Sequence, residues 1–250
     1  MLFRSRGGRV VAVHVVQVPD QTPLEYSAEH VDELDESEDL LEQAREDATT
    51  RDVPIETHTI MSHRSFEEIF DAAKTHDADM VVMGWGEDAH GSPGRAESAY
   101  DELTRSLPCD VLLFRDRGLD ASRILLPTAG GPDSELGAAV ARVLQDRSGG
   151  DVTLLHGADD AAAGEQFLAN WAEEHGLADA ERSVVTGDVE TAIEDAAAEH
   201  TLLVMGASEQ GLLRRLVAGS LPIDVVADVD CSVILAERAH DRGLWERLFG

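Results

Sequence analysis

Residues 201–206, TLLVMG, form an apolar run that ends in a glycine, the pattern of a buried β-strand followed by a turn. The same pattern stands 122 residues earlier at 79–84, DMVVMG. A second pair of segments has the same spacing, because 107–113 (LPCDVLL) matches 229–235 (VDCSVIL). Two matches at one spacing indicate an internal duplication of the chain.

The duplication continues towards the amino terminus with small changes of spacing. Residues 69–76 match 193–200, and residues 7–14 match 149–156. Each copy alternates apolar strand-like runs with helical segments, which predicts parallel strands joined by right-handed crossovers, with helices on both faces. The predicted fold class is therefore α/β, with two doubly wound parallel-sheet domains expected at residues 1–118 and 119–250.

The second copy opens with a unit to which nothing in the first copy corresponds. Arg123–Thr128 is a predicted strand, a turn follows at residues 130–134, and Leu136–Gln145 is a predicted helix. In a doubly wound sheet this opening strand is central, so we expect the first copy to have unpaired backbone groups and an open slot. Two explanations remain open: the chain is a fragment of a longer protein, which we favour, or another molecule supplies the strand.

The negative charge of the chain limits the classes of molecule that it can bind. Its 250 residues include 50 Asp and Glu against 20 Lys and Arg, for a formal charge of −30, and Lys74 is the only lysine. Such a surface repels phosphate backbones, so we expect no nucleic-acid partner. This composition is typical of a cytoplasmic protein from a salt-loving organism, where concentrated salt screens the self-repulsion. The apolar fraction of 43% is enough for a core, and no apolar run approaches the ~20 residues that span a bilayer.

The segment with the most chemical information is Gly206–Ser220, between a buried strand and a helix. Its glycines let the backbone approach a ligand and leave N–H groups free to donate. Ser220 fits the N-cap position of the following helix, with Pro222 in the first turn. A glycine loop that leads into a helix N-terminus can hold an anion.

From Arg123 to Arg238 the second copy resembles a universal stress protein (UspA) domain. The family motif is Gly, two residues, Gly, nine residues, Gly, then Ser or Thr. It falls on four positions, of which all but the second match: Gly206, Glu209, Gly219 and Ser220. The family's opening strand ends in a Val-Pro-x-Asp-Gly-Ser-like run, which is Leu126–Gly131 (LPTAGG) here. The tandem, acidic chain is also similar to the cytoplasmic C-terminal region of haloarchaeal amino-acid permeases, and free tandem proteins of the family are the competing context.

This resemblance implies a Rossmann-like domain of the adenine-nucleotide alpha hydrolase type that binds ATP or AMP. Carried over to this sequence, Thr128 and Ala129 flank the nucleoside, while Gly206, Gly219 and Ser220 contact phosphate. Two positions depart from the family. Ala129 replaces an Asp that would hold the nucleoside, and Glu209 replaces a glycine and would repel phosphate. Gly211 restores flexibility two residues later.

The first copy matches the motif less well. It keeps Gly84 and Ser98, but Glu87 and Glu97 occupy glycine positions, so we expect it not to bind nucleotide.

The remaining reactive side chains are interpreted as structural. His14 and His156 end matching strands beside the cleft, and Cys109 and Cys231 precede buried strands as core thiols. We expect no catalytic residues and no metal ligands.

The sequence thus predicts a regulatory module that senses a nucleotide and is not an enzyme. Its expected assembly is a homodimer or pseudo-dimer through the last strands, around Val111–Phe114 and Val233–Leu235, and its expected partner is a membrane transporter such as an amino-acid permease. Two alternatives remain: an interaction module without a ligand, and a slow ATP-hydrolysing enzyme.

Overall fold

The structure is a computed structural model that describes residues 8–18, 31–63, 65–84, 107–206 and 229–239. Within these ranges the chain forms nine strands and five helices. The strands are β1 Val10–Gln17, β2 Ile55–Ser62, β3 Met80–Gly84, β4 Asp110–Arg115, β5 Arg123–Pro127, β6 Asp151–Gly157, β7 Glu181–Val185, β8 Leu202–Gly206 and β9 Ser232–Glu237. The helices are α1 Val31–Thr50, α2 Ser65–Thr75, α3 Pro132–Ser148, α4 Ala161–Glu174 and α5 Val189–Ala197.

The chain divides into two compact units, Met1–Asp79 and Met80–Gly250. In the first unit, β1 and β2 pair in parallel along their whole length, and α1 and α2 pack on them. Helix α1 places Ser37, Leu41 and Ala48 on one buried face, because positions four and seven apart lie on the same side of a helix. The Ser37 hydroxyl lies 2.7 Å from the Thr59 hydroxyl on β2, which anchors the helix to the strand pair.

The second unit is built on a seven-stranded sheet of order β3-β4-β9-β8-β5-β6-β7. Its central strands are apolar without alternation because helices cover the sheet. Leu126, Leu154 and Val204 are fully buried, and α3 and α4 contribute Leu136 and Leu168 to the same core. The α/β doubly wound fold that the sequence predicts is therefore confirmed.

One pairing in this sheet differs from the others. The pairs β3–β4, β9–β8, β8–β5, β5–β6 and β6–β7 are parallel, whereas β4–β9 is antiparallel. Its register pairs Leu113 with Leu235, which are counterparts in the 122-residue repeat. A pseudo-two-fold axis therefore passes between them. The predicted pairing of the two last strands is confirmed within the chain.

The opening strand of the second copy, β5, lies between β6 and β8. The counterparts of those two strands in the first copy, β1 and β3, belong to different sheets, and among the described residues each pairs with only one strand. Val82 on β3 is 61% exposed, whereas its counterpart Val204 on β8 is fully buried. Among the described residues the first copy has no counterpart of β5 and α3, as the sequence predicts.

The predicted domain boundary near residue 118 stays a prediction, since the two compact units divide the chain at Asp79 and Met80 instead. In the described ranges no helix is both long enough and apolar enough to cross a membrane.

Candidate functional site

The order of strands reverses at β5, and this reversal defines the candidate site. From β5 the chain moves through α3 to β6 on one side, and it later returns to place β8 on the other. In open α/β sheets ligands bind in the crevice outside the carboxyl ends of the strands at such a point. Thr128 and Ala129 follow β5, and Gly206 ends β8.

The two strands bring these candidates to one edge of the sheet. β5 and β8 pair in parallel, Ile124 with Leu202 and Leu125 with Leu203, so Thr128 and Gly206 both lie at the carboxyl ends of paired strands. Ala129, next to Thr128, is exposed at the mouth of the crevice. The other four predicted site residues lie outside the described part of the chain: Glu209, Gly211, Gly219 and Ser220.

Thr128 is held by hydrogen bonds from three directions. It is 6% exposed, and its N–H donates to the Leu155 carbonyl at 2.8 Å. Its hydroxyl oxygen accepts from the Gly130 N–H at 3.1 Å, which leaves the hydroxyl proton to donate elsewhere. Because a carbonyl oxygen only accepts, His156 Nδ1–H donates to the Thr128 carbonyl at 2.8 Å. His156 thus has the structural position beside the cleft that the sequence predicts.

An aromatic pair lines the same turn. The rings of His156 and Phe167 lie 4.3 Å apart between centroids, tilted by 30°. Gly130 has a φ of +82°, and a Cβ there would lie 3.5 Å from Phe167 Cζ. The turn after β5 is therefore packed against the Phe167 ring at Gly130. The sequence candidates did not include Phe167, because a position on the apolar stripe of a helix cannot be distinguished from a core position.

A glycine is needed at position 206 because the backbone of α3 lies very close to it. A Cβ at this position would lie 2.7 Å from the Ser134 nitrogen and 2.8 Å from the Asp133 carbonyl carbon. Glycine lets the first turn of α3 pass directly over the end of β8. The N-cap of that helix is Gly131, which offers no side-chain hydrogen bond to the first turn.

The first turn of α3 is acidic, and Arg238 binds it. The Arg238 N–H donates to Asp133 Oδ1 at 2.8 Å. Its guanidinium lies 3.5 Å from Glu135 and 3.8 Å from Asp110 at the start of β4. Arg238 therefore joins both strands of the antiparallel pair to α3. The carboxylates Asp133 and Glu135 disfavour a phosphate at this helix end.

The matching place in the first copy lacks these contacts. His14 corresponds to His156, but its Nδ1 is buried with no hydrogen-bond partner among the described residues. The acceptor in the second copy is the Thr128 carbonyl, which follows β5, and the described residues of the first copy contain no counterpart of this strand. Gly84 corresponds to Gly206 and has no atom within 4 Å of a Cβ position. The predicted features Ser98, Glu87 and Glu97 lie outside the described ranges.

The two cysteines are core thiols, as predicted. Cys109 and Cys231 are buried and form no disulfide. Burial raises the pKa of the Cys231 thiol above its ordinary value, because the apolar surroundings disfavour the thiolate. The reactive thiolate is therefore scarce at neutral pH.

Fold and repeat together define a tandem α/β protein whose two copies join through their last strands. The universal stress protein family model matches the chain twice, over residues 1–115 and 121–237. The chain belongs to the universal stress protein family.

Solved structures of low identity share this fold. A universal stress protein from Archaeoglobus fulgidus DSM 4304 is 15% identical, with a TM-score of 0.63 over 95% of this chain and 89% of that chain. A putative universal stress protein from Pseudomonas aeruginosa UCBPP-PA14 is 15% identical, with a TM-score of 0.52 over 92% and 93%. The cytoplasmic domain of a prokaryotic cation chloride cotransporter is 13% identical, with a TM-score of 0.50 over 92% and 84%. No curated protein matches this chain.

Proposed function

We propose that this protein is a regulatory module whose second copy binds an adenine nucleotide, ATP or AMP, in the crevice between β5 and β8. The observation that carries the proposal is the close approach of Gly206, at the end of β8, to the first turn of α3, which follows β5 where the strand order reverses. The resemblance assigns Thr128 to the nucleoside and Gly206 to the phosphate. The first copy, which has no counterpart of β5 among its described residues, does not bind.

The described contacts favour different positions for the nucleoside and the phosphates of the nucleotide. The nucleoside lies against the turn after β5, where the Thr128 hydroxyl proton is left to donate and the Phe167 ring packs against Gly130. The phosphates lie towards the chain that leaves Gly206, because Asp133 and Glu135 repel them from the first turn of α3. In this arrangement the phosphates lie next to the segment that carries the family's glycine motif.

The proposed output is a change of conformation rather than a reaction. A ligand shifts an equilibrium only by its difference in affinity for two states. The chain leaving β8 would differ between bound and free protein, and a partner would recognise one of the two forms. We propose a membrane transporter as that partner, at its cytoplasmic side. The shared fold with the cytoplasmic domain of a cation chloride cotransporter is compatible with this role.

A second candidate function is an interaction module without a ligand. It is favoured by Ala129, which has no carboxylate for the nucleoside, and by the acidic first turn of α3 beside the crevice. In this case the antiparallel joint of β4 and β9 serves to present surfaces of the two copies to partners, including a second chain in a homodimer.

Calorimetric titration with ATP, AMP and cyclic AMP in about 1 M KCl, where surface charge is screened, separates the two functions. We expect binding with a dissociation constant below the millimolar range. Thr128→Val should weaken it about three- to tenfold, the value of one hydrogen bond of ~1 kcal/mol. The matched control is Thr201→Val, because that hydroxyl bonds Arg123 at the opposite end of the same strands.

Absence of binding at millimolar nucleotide would reject the sensor and leave the interaction module. Equal affinities of the Thr128→Val and wild-type proteins would reject the placement of the nucleoside. Phosphate release from ATP faster than in buffer would instead support the slow enzyme.

A further inference from the structure

We propose that Glu56, His58 and His76 in the first unit bind a divalent transition-metal ion, with Zn²⁺ as the reference cation. One donor atom from each side chain lies within 4.8 Å of the others. Glu56 Oε2 is 3.9 Å from both His58 Nε2 and His76 Nδ1. The cluster lies in a different unit from the proposed nucleotide crevice, so the two proposals are independent.

The local structure brings the three side chains together. Glu56 and His58 are two residues apart on β2, so they point to the same face of the strand. His76 follows α2, and its N–H donates to the Ala72 carbonyl at 3.0 Å, which extends the helical turn. The His58 and His76 rings then lie 4.8 Å apart between centroids. The donors therefore come from two elements of regular structure rather than from one loop.

One donor atom is left without a partner. His58 Nε2 is buried and makes no hydrogen bond in the described part of the chain. A buried polar atom without a partner is unfavourable, and in folded proteins such atoms usually have a protein, water or ion partner. A metal ion between the two imidazoles and the carboxylate satisfies this nitrogen.

At the corresponding position in the second copy, the described residues form no such group of metal-ligating side chains. His200 corresponds to His76, and both of its ring nitrogens have protein partners. Its Nδ1 lies 2.6 Å from the Ala196 carbonyl and its Nε2 lies 3.0 Å from the Thr153 hydroxyl. The residue that matches Thr153 in the first copy is Val11, which has no hydroxyl.

The strand registers extend this comparison. Glu56 corresponds to Glu181, and His58 corresponds to Ser183. In the first copy the residue that matches Thr153 has no hydroxyl, and a second imidazole, His58, lies next to a carboxylate that both copies have. The histidine that is hydrogen-bonded in the second copy therefore belongs, in the first copy, to a group of three side chains with metal-ligating atoms.

Arg9 fixes the carboxylate. Its Nη1 pairs with Glu56 Oε1, and its Nη2 donates to the His76 carbonyl at 3.3 Å. Oε2 is left turned towards the imidazoles, and hydrogen bonding of a ligating carboxylate is usual in metal sites. The guanidinium charge lowers the affinity for a cation, so we expect moderate rather than very tight binding.

Two imidazoles and one carboxylate are a ligand set for Zn²⁺ or a related first-row ion, with water in the remaining position. Zinc bonds of about 2.0–2.1 Å place tetrahedral ligand atoms roughly 3.3 Å apart. The 3.9 Å separations of Glu56 from each histidine therefore need to close by about half an ångström, and the two imidazole donors, which lie within 4.8 Å of each other, by up to about 1.5 Å. Because Arg9 holds the carboxylate, this closure requires rotation of the His58 and His76 side chains, which are 42% and 21% exposed.

The test is a titration of the whole chain with ZnCl₂ against a chromophoric chelator, with the visible spectrum of Co²⁺ as a second readout. We expect one site above the weak background of surface carboxylates. His58→Gln and His76→Gln should each weaken it more than about tenfold, because even outer-shell partners contribute about 10- to 100-fold. The matched control is His200→Gln in the second copy, which should keep the affinity and the tetrahedral Co²⁺ spectrum.

Circular dichroism without metal verifies that each variant is folded, and Zn²⁺ should raise the Tm of wild type and His200→Gln only. The proposal is overturned if zinc binding does not exceed that of the His58→Gln/His76→Gln double variant. It is equally overturned if His200→Gln loses as much affinity as His58→Gln.

Discussion

Truncation of Leu113 to alanine tests the joint between the two copies. Leu113 on β4 is 1% exposed, and the Leu235 opposite it on β9 is 3% exposed. Removal of a buried leucine side chain costs about 2–5 kcal/mol, so we expect each of Leu113→Ala and Leu235→Ala to lower the free energy of unfolding by about 3 kcal/mol. The two losses should be similar because the residues are counterparts across the pseudo-two-fold axis.

The double variant tests whether Leu113 and Leu235 are in direct contact. Directly opposite side chains in an antiparallel pair lie about 4.5–5.5 Å apart at Cβ, within contact. The Leu113→Ala/Leu235→Ala protein should therefore be less destabilised than the sum of the single variants, by about 0.5 kcal/mol or more. Leu168→Ala on α4 is the control, because α4 packs on β6 and β7 at the far side of the sheet, and its cost should add to that of Leu113→Ala.

Urea unfolding followed by circular dichroism and by fluorescence of the buried Trp171 measures these energies. A cost below about 1 kcal/mol for Leu113→Ala, or strict additivity with Leu235→Ala, would refute the paired last strands.

Three further predictions concern the crevice, its counterpart and the core. His156→Leu should lower the unfolding free energy by about 1 kcal/mol, because it removes the hydrogen bond to the Thr128 carbonyl. His14→Leu should leave the unfolding free energy unchanged or raise it, because the buried His14 Nδ1 has no partner among the described residues. Equal losses of the two variants in urea unfolding would contradict this. Gly206→Ala should lower the free energy of unfolding by about 1–3 kcal/mol, because the added Cβ would lie 2.7 Å from the backbone of α3. Gly84→Ala should lower it much less, because no described atom lies within 4 Å of its Cβ position. A larger loss for Gly84→Ala than for Gly206→Ala would exclude the close approach. The raised pKa of the Cys231 thiol predicts a contribution to stability that is full below about pH 8.5. It should be lost as the pH rises through the folded-state pKa, and a Cys231→Ser protein with the same alkaline slope would exclude that cause.

The duplicated segments explain why so much of the fold could be predicted. Apolar runs such as Leu202–Gly206 identify strands because both of their faces are buried, and their repetition gives the strand count of each copy. The pairing of β4 with β9 could be predicted because two equal edge strands are related by symmetry.

The division of the chain at Asp79 and Met80 could not be predicted, because the repeat sets the boundary between the copies and not the sheet to which each strand of the first copy belongs.

The candidate site could be predicted only in part. Gly206 opens a motif with fixed spacing, and Thr128 lies in the run that ends the family's opening strand, so both could be found in the sequence. Phe167 reaches the turn through packing of a helix that no local pattern reveals. The expectation of no metal ligands is replaced by our proposal at His58 and His76, which are 18 residues apart and meet only because α2 crosses back over β2. The Glu-x-His pattern on one face of β2 is the sequence signal that was available.

The most direct test of the account is an amide NMR titration of the isotope-labelled chain with ATP. We predict that the amide signals of Ala129, Gly130 and Gly206 shift with a common dissociation constant, while those of Val82 and Gly84 in the first copy do not. Shifts confined to the first copy, or no shifts at millimolar ATP, would contradict the claim that the second copy of this tandem protein is its nucleotide sensor.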